Sequence, residues 1–193
     1  MTQKGINFTL SGNPLVKSTP KLMTKIRPAS MDDITLIQEL SHEIWHEVYP
    51  SIITTEQIDY MLEKMYSRSS LCDQFNTQGH SFIILEVEGK AEGFASYSIN
   101  SETEPKRYRL HKLYVRPILH GNGMGKSLVK HICLDAIQQG GEELELNVNK
   151  RNPAIGFYEK LGFYREKEVK IDIGNGFVMD DYIMVLKLVQ NSQ

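Results

Sequence analysis

Eight consecutive residues, His120-Gly121-Asn122-Gly123-Met124-Gly125-Lys126-Ser127, put three glycines at alternate positions immediately ahead of a run with helical spacing. Glycine lets backbone approach a ligand closely, and the start of a helix offers unpaired N–H groups at the positive end of its dipole. The combination suits phosphate oxygens, although a purely structural turn can use the same residues. Two familiar phosphate loops do not fit. A Walker A loop requires glycine where His120 stands and follows its strand directly, whereas Arg116 to Leu119 intervene. A dinucleotide fingerprint requires a third glycine at Lys126 and an acidic residue after the next strand, which here ends in Val148-Asn149.

His42-Glu43-Ile44-Trp45-His46 is a second arrangement with chemical potential, since it sets two histidines one helical turn apart beside a glutamate, as in a zinc metallopeptidase. Its continuation is wrong. Glycine would be needed at Tyr49, and the downstream glutamate at suitable spacing, Glu63, falls on a second helix. Amphipathic geometry explains the motif, with histidines exposed beside a buried Ile44, and no metal is expected.

These residues must be held by a regular framework. Ile26-Arg27 reads as a short strand, and Asp32 as the N-cap of a helix carrying Ile34, Ile37, Leu40, Ile44 and Val48. A second helix starts near Thr54 or Thr55, and a third covers Ser70 to Asn76. Strands Ser81 to Glu88 and Ala91 to Ile99 follow, joined through Gly89-Lys90. In the strand Arg109 to Val115, simple alternation puts Leu110, Lys112 and Tyr114 on one face and Arg109, His111, Leu113 and Val115 on the other. Leu128 to Ile137 sustain a helix ended by Gly140-Gly141, and Glu143 to Val148 form a strand. The last helix spans about Pro153 to Leu161, and Glu168 to Ile173 pairs with Val178 to Leu188 across Asn175-Gly176. A strand, helix and strand in succession require a crossover, so one parallel pair is expected within an otherwise antiparallel sheet.

The chain has 193 residues and a formal net charge of -2, which fits one domain and gives no reason to expect nucleic acid or an anionic membrane as partner. Two distant cysteines, no secretory leader and no long apolar run predict inert thiols and a cytoplasmic protein. Residues 1–25 lack periodicity and read as an extension preceding a domain over 26–190, and an arm of this length makes a homodimer the assembly to test.

With these motifs in view, the chain resembles the GNAT superfamily of N-acetyltransferases. Their acetyl-CoA loop, Arg/Gln-x-x-Gly-x-Gly/Ala after a strand like Leu113-Tyr114-Val115-Arg116-Pro117, is matched by Gly123 and Gly125, with His120 at the basic or amide position. Asn152-Pro153-Ala154-Ile155-Gly156-Phe157-Tyr158-Glu159-Lys160-Leu161-Gly162-Phe163 is similar to a second family segment, and Ile26-Arg27-Pro28-Ala29 with Asp32-Asp33 to its opening. The stretch from Ile44-Trp45 through Tyr49 to Leu62, and that from Asp172 to Tyr182, look like one bacterial branch, with a more distant similarity to polyamine acetyltransferases.

The resemblance implies an α/β (α+β) fold with a mixed, mostly antiparallel twisted sheet, helices on both faces, and a parallel pair splayed for acetyl-CoA. It implies an acetyl-CoA-dependent N-acetyltransferase acting on a primary amine, a small amine or polyamine being favoured, by direct attack through a tetrahedral intermediate. Leu113, Tyr114 and Val115 would offer backbone groups to the cofactor, and His120, Gly121, Asn122, Gly123, Met124, Gly125, Lys126 and Ser127 would cradle its diphosphate. Asn147, Asn152 and Phe157 would complete its site. Tyr158 matches the family's acid, which protonates the departing thiolate, and is otherwise a packed helix aromatic. His111 stands where arylalkylamine acetyltransferases carry a catalytic histidine, so the base is His111 or a water relay. Arg109 occupies the position of the glutamate base in histone-type members and excludes that mechanism. Trp45, Glu47, Tyr49, Asp180 and Asp181 are expected to line the acceptor site. A non-catalytic acyl-CoA-binding module is the rival, and the presence of both acid and base candidates weighs against it.

Overall fold

The computed structural model describes residues 22–100 and 104–188. The extension expected over residues 1–25 falls, as far as residue 21, outside the described residues. Seven strands form one sheet: β1 Thr24–Pro28, β2 Ser81–Val87, β3 Lys90–Asn100, β4 Arg107–Val115, β5 Glu143–Asn149, β6 Tyr164–Gly174 and β7 Phe177–Lys187. Five helices accompany them: α1 Ile34–Val48, α2 Thr55–Tyr66, α3 Arg68–Asn76, α4 Met124–Gln138 and α5 Ile155–Lys160.

The strand order is β1-β2-β3-β4-β5-β7-β6, and every neighbouring pair is antiparallel except β4–β5. That exception follows from α4, whose crossover returns the chain in the same direction. Apolar side chains form one core on each face. Ile37, Leu40, Ile44, Ile58, Leu62 and Leu71 of α1–α3 pack over Phe82, Ile84 and Phe94, and Leu128, Val129, Ile132 and Ala136 of α4 pack over Leu85, Leu110, Leu144 and Leu146. Each helix buries the stripe its periodicity marks out, at about 25 cal/mol for each Å² of apolar surface removed from water. The mixed sheet covered on both faces is the architecture expected from the sequence. Both cysteines are free thiols, and among the described residues no helix is long and apolar enough to cross a membrane.

Local differences from the sequence reading have physical causes. Asp32 does not cap α1. Ser30 instead caps a short turn of 3-10 helix over Met31–Asp33, with the Asp33 side chain returning to the Ser30 N–H, and α1 starts at Ile34. The β2–β3 link is Glu88-Gly89, not Gly89-Lys90, because both central residues of this turn need positive φ (50° and 75°) while Lys90 pairs with Val87. Asn175-Gly176 closes β6–β7 as expected, with φ of 54° and 75°.

The most consequential difference lies in β4. Ser96 faces Lys112 and Tyr97 faces Leu110, so His111 is an extra residue, a β-bulge. The bulge resets the alternation. Leu110 joins Leu113 and Val115 in the core beneath α4, whereas Tyr114 packs in the core beneath α1–α3 and Lys112 lies over the Tyr66 and Phe82 rings of that same core. Strict alternation had set Leu110 with Lys112 and Tyr114, and Leu113 and Val115 with His111.

Candidate active site

The parallel ladder between β4 and β5 runs from Arg107 opposite Glu143 to Leu110 opposite Leu146 and stops there. Each strand keeps its outer partner to its end, β4 through Val115 opposite Gly93 and β5 through Asn149 opposite Asp181. Two strands held apart by outer partners and unpaired between leave a slot whose backbone groups can receive an extended ligand. Leu113, Tyr114 and Val115 border it on one side, and Asn147 on the other. At the closed end ion pairs fasten the strands. Arg107 Nε is 2.6 Å from Glu143, and Arg109 Nε is 2.7 Å from Glu145.

At the open end β4 leads into the glycine-rich turn. Gly123 takes φ 79°, and α4 starts directly after it with no side-chain cap, so the first-turn N–H groups of Met124, Gly125 and Lys126 have no acceptor within the helix. A Cβ on Gly121 or Gly123 would meet nothing within 4 Å, so the space before these amides is open. A Cβ on Gly125 would lie 3.2 Å from Phe157 Cζ, which ties the turn to α5. The His120 ring Nε2 donates to the Val115 carbonyl at 2.9 Å, bracing the loop against the strand it leaves. Asn122 Nδ2 donates to Leu119 O at 3.3 Å, and Ser127 Oγ to Gly123 O at 3.2 Å. Open N–H groups at a helix start, beside an unpaired strand edge, fit a diphosphate-bearing chain such as coenzyme A.

On the α1–α3 face of the slot, phenols, amides and a carboxylate come together. Tyr49, which caps the C-terminus of α1, stacks on Trp45 with ring centroids 4.5 Å apart, and its hydroxyl sits beside Tyr114 and Asn152. Asn152 Oδ1 accepts from Ala154 N–H at 2.8 Å, shaping the turn that launches α5. Burial holds the Tyr49, Tyr114 and Tyr158 hydroxyls above the ordinary tyrosine range, so all three are protonated at neutral pH. Tyr158 packs on Phe157 and Phe163 of the α4 face, yet the Tyr49 hydroxyl of the opposite face acts on it. That influence crosses the sheet where it is open.

Asp181 belongs to the same cluster. It is 1% exposed, forms no ion pair among the described residues, and is reached by the side-chain amides of Asn147 and Asn149. Burial, reinforced by the neighbouring Asp180 charge, raises its pKa to about 6. Asp180 differs sharply: Lys150 Nζ lies 2.7 Å from it and 2.6 Å from Glu168. Asp180 also lines a cavity of about 420 Å³ with Ile52, Thr54, Gln57, Lys150 and Arg151, adjacent to the open end. Glu47 remains exposed on α1.

His111 is placed elsewhere. Its Nε2 meets Ser98 Oγ at 2.8 Å and its ring stacks on His80 with centroids 3.9 Å apart. Packing against His80 and the charges of Lys112 and Arg109 lower the pKa of this exposed ring, which favours its neutral form. Its neighbours are not those of Tyr158. The structure therefore brings Tyr158, Tyr49, Tyr114, Asn152 and Asp181 together and leaves His111 on the β3 side of the bulge. Sequence reasoning gave Lys112 a strand face but marked neither it nor His80 as a site residue. The buried Lys112 ammonium reaches Gln74 Oε1 at 2.6 Å, and only the register reset by the bulge turns it inward.

The histidines of α1 are committed to its surface. His46 Nδ1 bonds the His42 carbonyl at 2.8 Å and Nε2 lies 3.0 Å from Asp59, while Glu43 pairs with Arg116. Among the described residues no three metal-type side chains converge.

A splayed parallel pair running into an uncapped, glycine-started helix defines a protein of the acyl-CoA transferase class. Residues 38–163 match the family model described as Acetyltransferase (GNAT) family. A spermidine N(1)-acetyltransferase of Thermoplasma acidophilum is 25% identical over 157 residues, covering 81% of this chain and 95% of that protein. An N-acetyltransferase named YuaI from Bacillus subtilis, otherwise uncharacterised, is 27% identical over 154 residues, covering 78% and 86%. Among solved structures, PaiA N-acetyltransferase from Thermoplasma acidophilum in complex with coenzyme A superposes with a TM-score of 0.71 at 24% identity, covering 86% of this chain and 99% of that one. The chain belongs to the GNAT acetyltransferase family and is an acetyl-CoA-dependent N-acetyltransferase.

Proposed function

We propose that this enzyme acetylates a primary amine, a small amine or a polyamine, by direct attack of the amine on the thioester of acetyl-CoA. The observation that carries the reading is Tyr158 at the opening of the sheet, acted on from the other face by Tyr49 beside the buried Asp181. Acetyl-CoA supplies the activated acetyl group. Leu113, Tyr114 and Val115 would hold its arm by backbone pairing, with Asn147, Asn152 and Phe157 around it, and residues 120–127 would hold its diphosphate. An N–H near Leu113 or Tyr114 would polarise the thioester carbonyl.

Tyr158 is the acid in this reading. Its hydroxyl keeps its proton at neutral pH; passing it to a thiolate resembling cysteine, with a pKa of roughly 8.5, is uphill alone and is drawn forward as the acetylated nitrogen's proton restores the phenol. The acceptor approaches from the α1–α3 face, past Trp45 and Tyr49, through the cavity beside Asp180. The buried Asp181 carboxylate suits a cationic amine, as does the similarity to a spermidine acetyltransferase. Deprotonation by His111 needs a water relay, since its ring is engaged by His80 and Ser98. The domain is proposed to span residues 26–190, and a homodimer is tested by sedimentation of the full chain.

Thiol release from acetyl-CoA across a panel of alkylamines, polyamines, aminoglycosides and amino acids tests the reading. Turnover with primary amines that falls in Y158F supports it. Turnover confined to non-amine acceptors, or none with coenzyme A bound, overturns it.

A further inference from the structure

We propose that Asp181 is the base that takes the proton from the acceptor's ammonium group. The proposal rests on the amine acetyltransferase reading above and names a group for the step that His111 reaches only through water.

Asp181 is the buried carboxylate of the site with nothing to neutralise it. It is 1% exposed, the side chains that reach it are the neutral amides of Asn147 and Asn149, and among the described residues no cation forms an ion pair with it, Lys150 being engaged by Asp180 and Glu168. An unpaired carboxylate withdrawn from water is costly, and a fold retains one where another species completes it. The chain neutralises its other carboxylates nearby. Asp180, the adjacent residue, is paired with Lys150, and Glu143 and Glu145 on β5 are paired with Arg107 and Arg109. A cation from outside is what Asp181 lacks.

Its position matches the demand. Asp181 stands opposite Asn149 on β5, the strand that borders the slot, at the end where β4 has parted from it. The groups facing it are known for each element packed there. They are Tyr49 at the end of α1, Asn147 and Asn149 on β5, Lys150 in the following turn, and Asp180 on its own strand. Tyr49 links Asp181 to Tyr158, the acid, so proton acceptor and proton donor share one neighbour. None of the groups facing Asp181 is a histidine.

Burial and the Asp180 charge raise the Asp181 pKa to about 6, close to neutrality, which lets the carboxyl both accept and release a proton. Desolvation of a primary ammonium in the same surroundings lowers its pKa and opposes the rise that the carboxylate charge imposes, so the proton can pass between the two groups. His111 lies exposed against Ser98 and His80, away from the groups around Tyr158.

The step balances as follows. One Asp181 oxygen takes a proton from R–NH3+, leaving R–NH2. The nitrogen lone pair forms the N–C bond to the thioester carbonyl carbon, and the C–S bond breaks with its electron pair staying on sulfur. Sulfur takes the Tyr158 proton, and the second proton leaving the nitrogen restores the phenol. Asp181 then gives its proton to solvent, so each acetyl transferred releases one proton.

The test is the pH dependence of turnover by the full chain with an alkylamine, for wild type, D181N, D181E and H111A. Calorimetry with coenzyme A checks that each variant retains its fold. In D181N, kcat is expected to fall about a hundredfold or more and the acid limb to vanish, with coenzyme A affinity unchanged. D181E is expected to restore the limb, and a primary amine already neutral at pH 7 to recover turnover by D181N. A D181N that raises only KM for the amine and keeps the acid limb overturns the proposal, as does an H111A that abolishes the limb. A wild type that binds coenzyme A but turns over no primary amine overturns the amine reading itself, and the two failures are distinct.

Discussion

Leu110 faces Leu146 across the only parallel pair in the described sheet, and one residue later β4 carries the His111 bulge and the two strands no longer pair. Pairing ends where the bulge begins. A bulge adds twist and bends its strand, so the slot and the inward turn of Lys112 share one origin.

The glycine turn gives the first prediction. Gly123 sits at φ 79°, where a side chain costs about 1–2 kcal/mol, and Gly125 faces Phe157. G123A is expected to lose about that much stability by thermal denaturation and to raise KM for acetyl-CoA. G125V, which drives a branched side chain at the Phe157 ring, is expected to weaken coenzyme A binding further by calorimetry. Wild-type affinity in both would show that the diphosphate lies elsewhere.

Tyr158 gives the second. Y158F removes only the hydroxyl, and kcat is expected to fall by about a hundredfold or more while coenzyme A binding and melting temperature hold. Burial keeps the phenol protonated beyond its ordinary pKa, so loss of its proton does not limit the wild type at neutral pH. A kcat within a few-fold of wild type would reduce Tyr158 to a packing residue.

Asp181 also has a signature in stability, independent of catalysis. Its folded pKa, about 6, lies above the unfolded value of 3.8, so between these limits the folded state binds more protons. Stability from this group is therefore complete at low pH and declines as pH rises through the window, by at most about 3 kcal/mol. Urea titrations of wild type and D181N at acidic and neutral pH isolate it. D181N is expected to be the more stable at pH 7, with the difference closing on acidification, and a pH-independent difference would contradict the unpaired carboxylate.

Lys112 behaves in the opposite sense. Burial lowers its pKa from 10.5 to about 8, so the unfolded state holds more protons in that interval and stability rises with pH across it. The span is at most about 3 kcal/mol. K112M is expected to remove this alkaline rise, as read by denaturant midpoints on either side of the interval, although loss of the Gln74 contact offsets part of its gain at pH 7.

The amino-acid sequence by itself determined what short-range rules can fix. The Asn175-Gly176 turn announced its hairpin, the helices announced their buried stripes, and the strand-helix-strand order required a parallel pair. The family motifs marked residues 120–127 and Tyr158 as candidates for cradle and acid. Tertiary structure alone decided which side chains meet. Period-two alternation assumes an uninterrupted ladder, and the bulge at His111 is visible only once β3 supplies its register. In the same way, whether an aspartate is solvated, paired or stranded depends on its neighbours in space: Asp180 and Asp181 are adjacent and chemically identical in sequence, yet one meets Lys150 and the other meets no cation. Local conformational preference acts over a few residues, whereas burial and charge pairing are set by strands and turns remote in the chain.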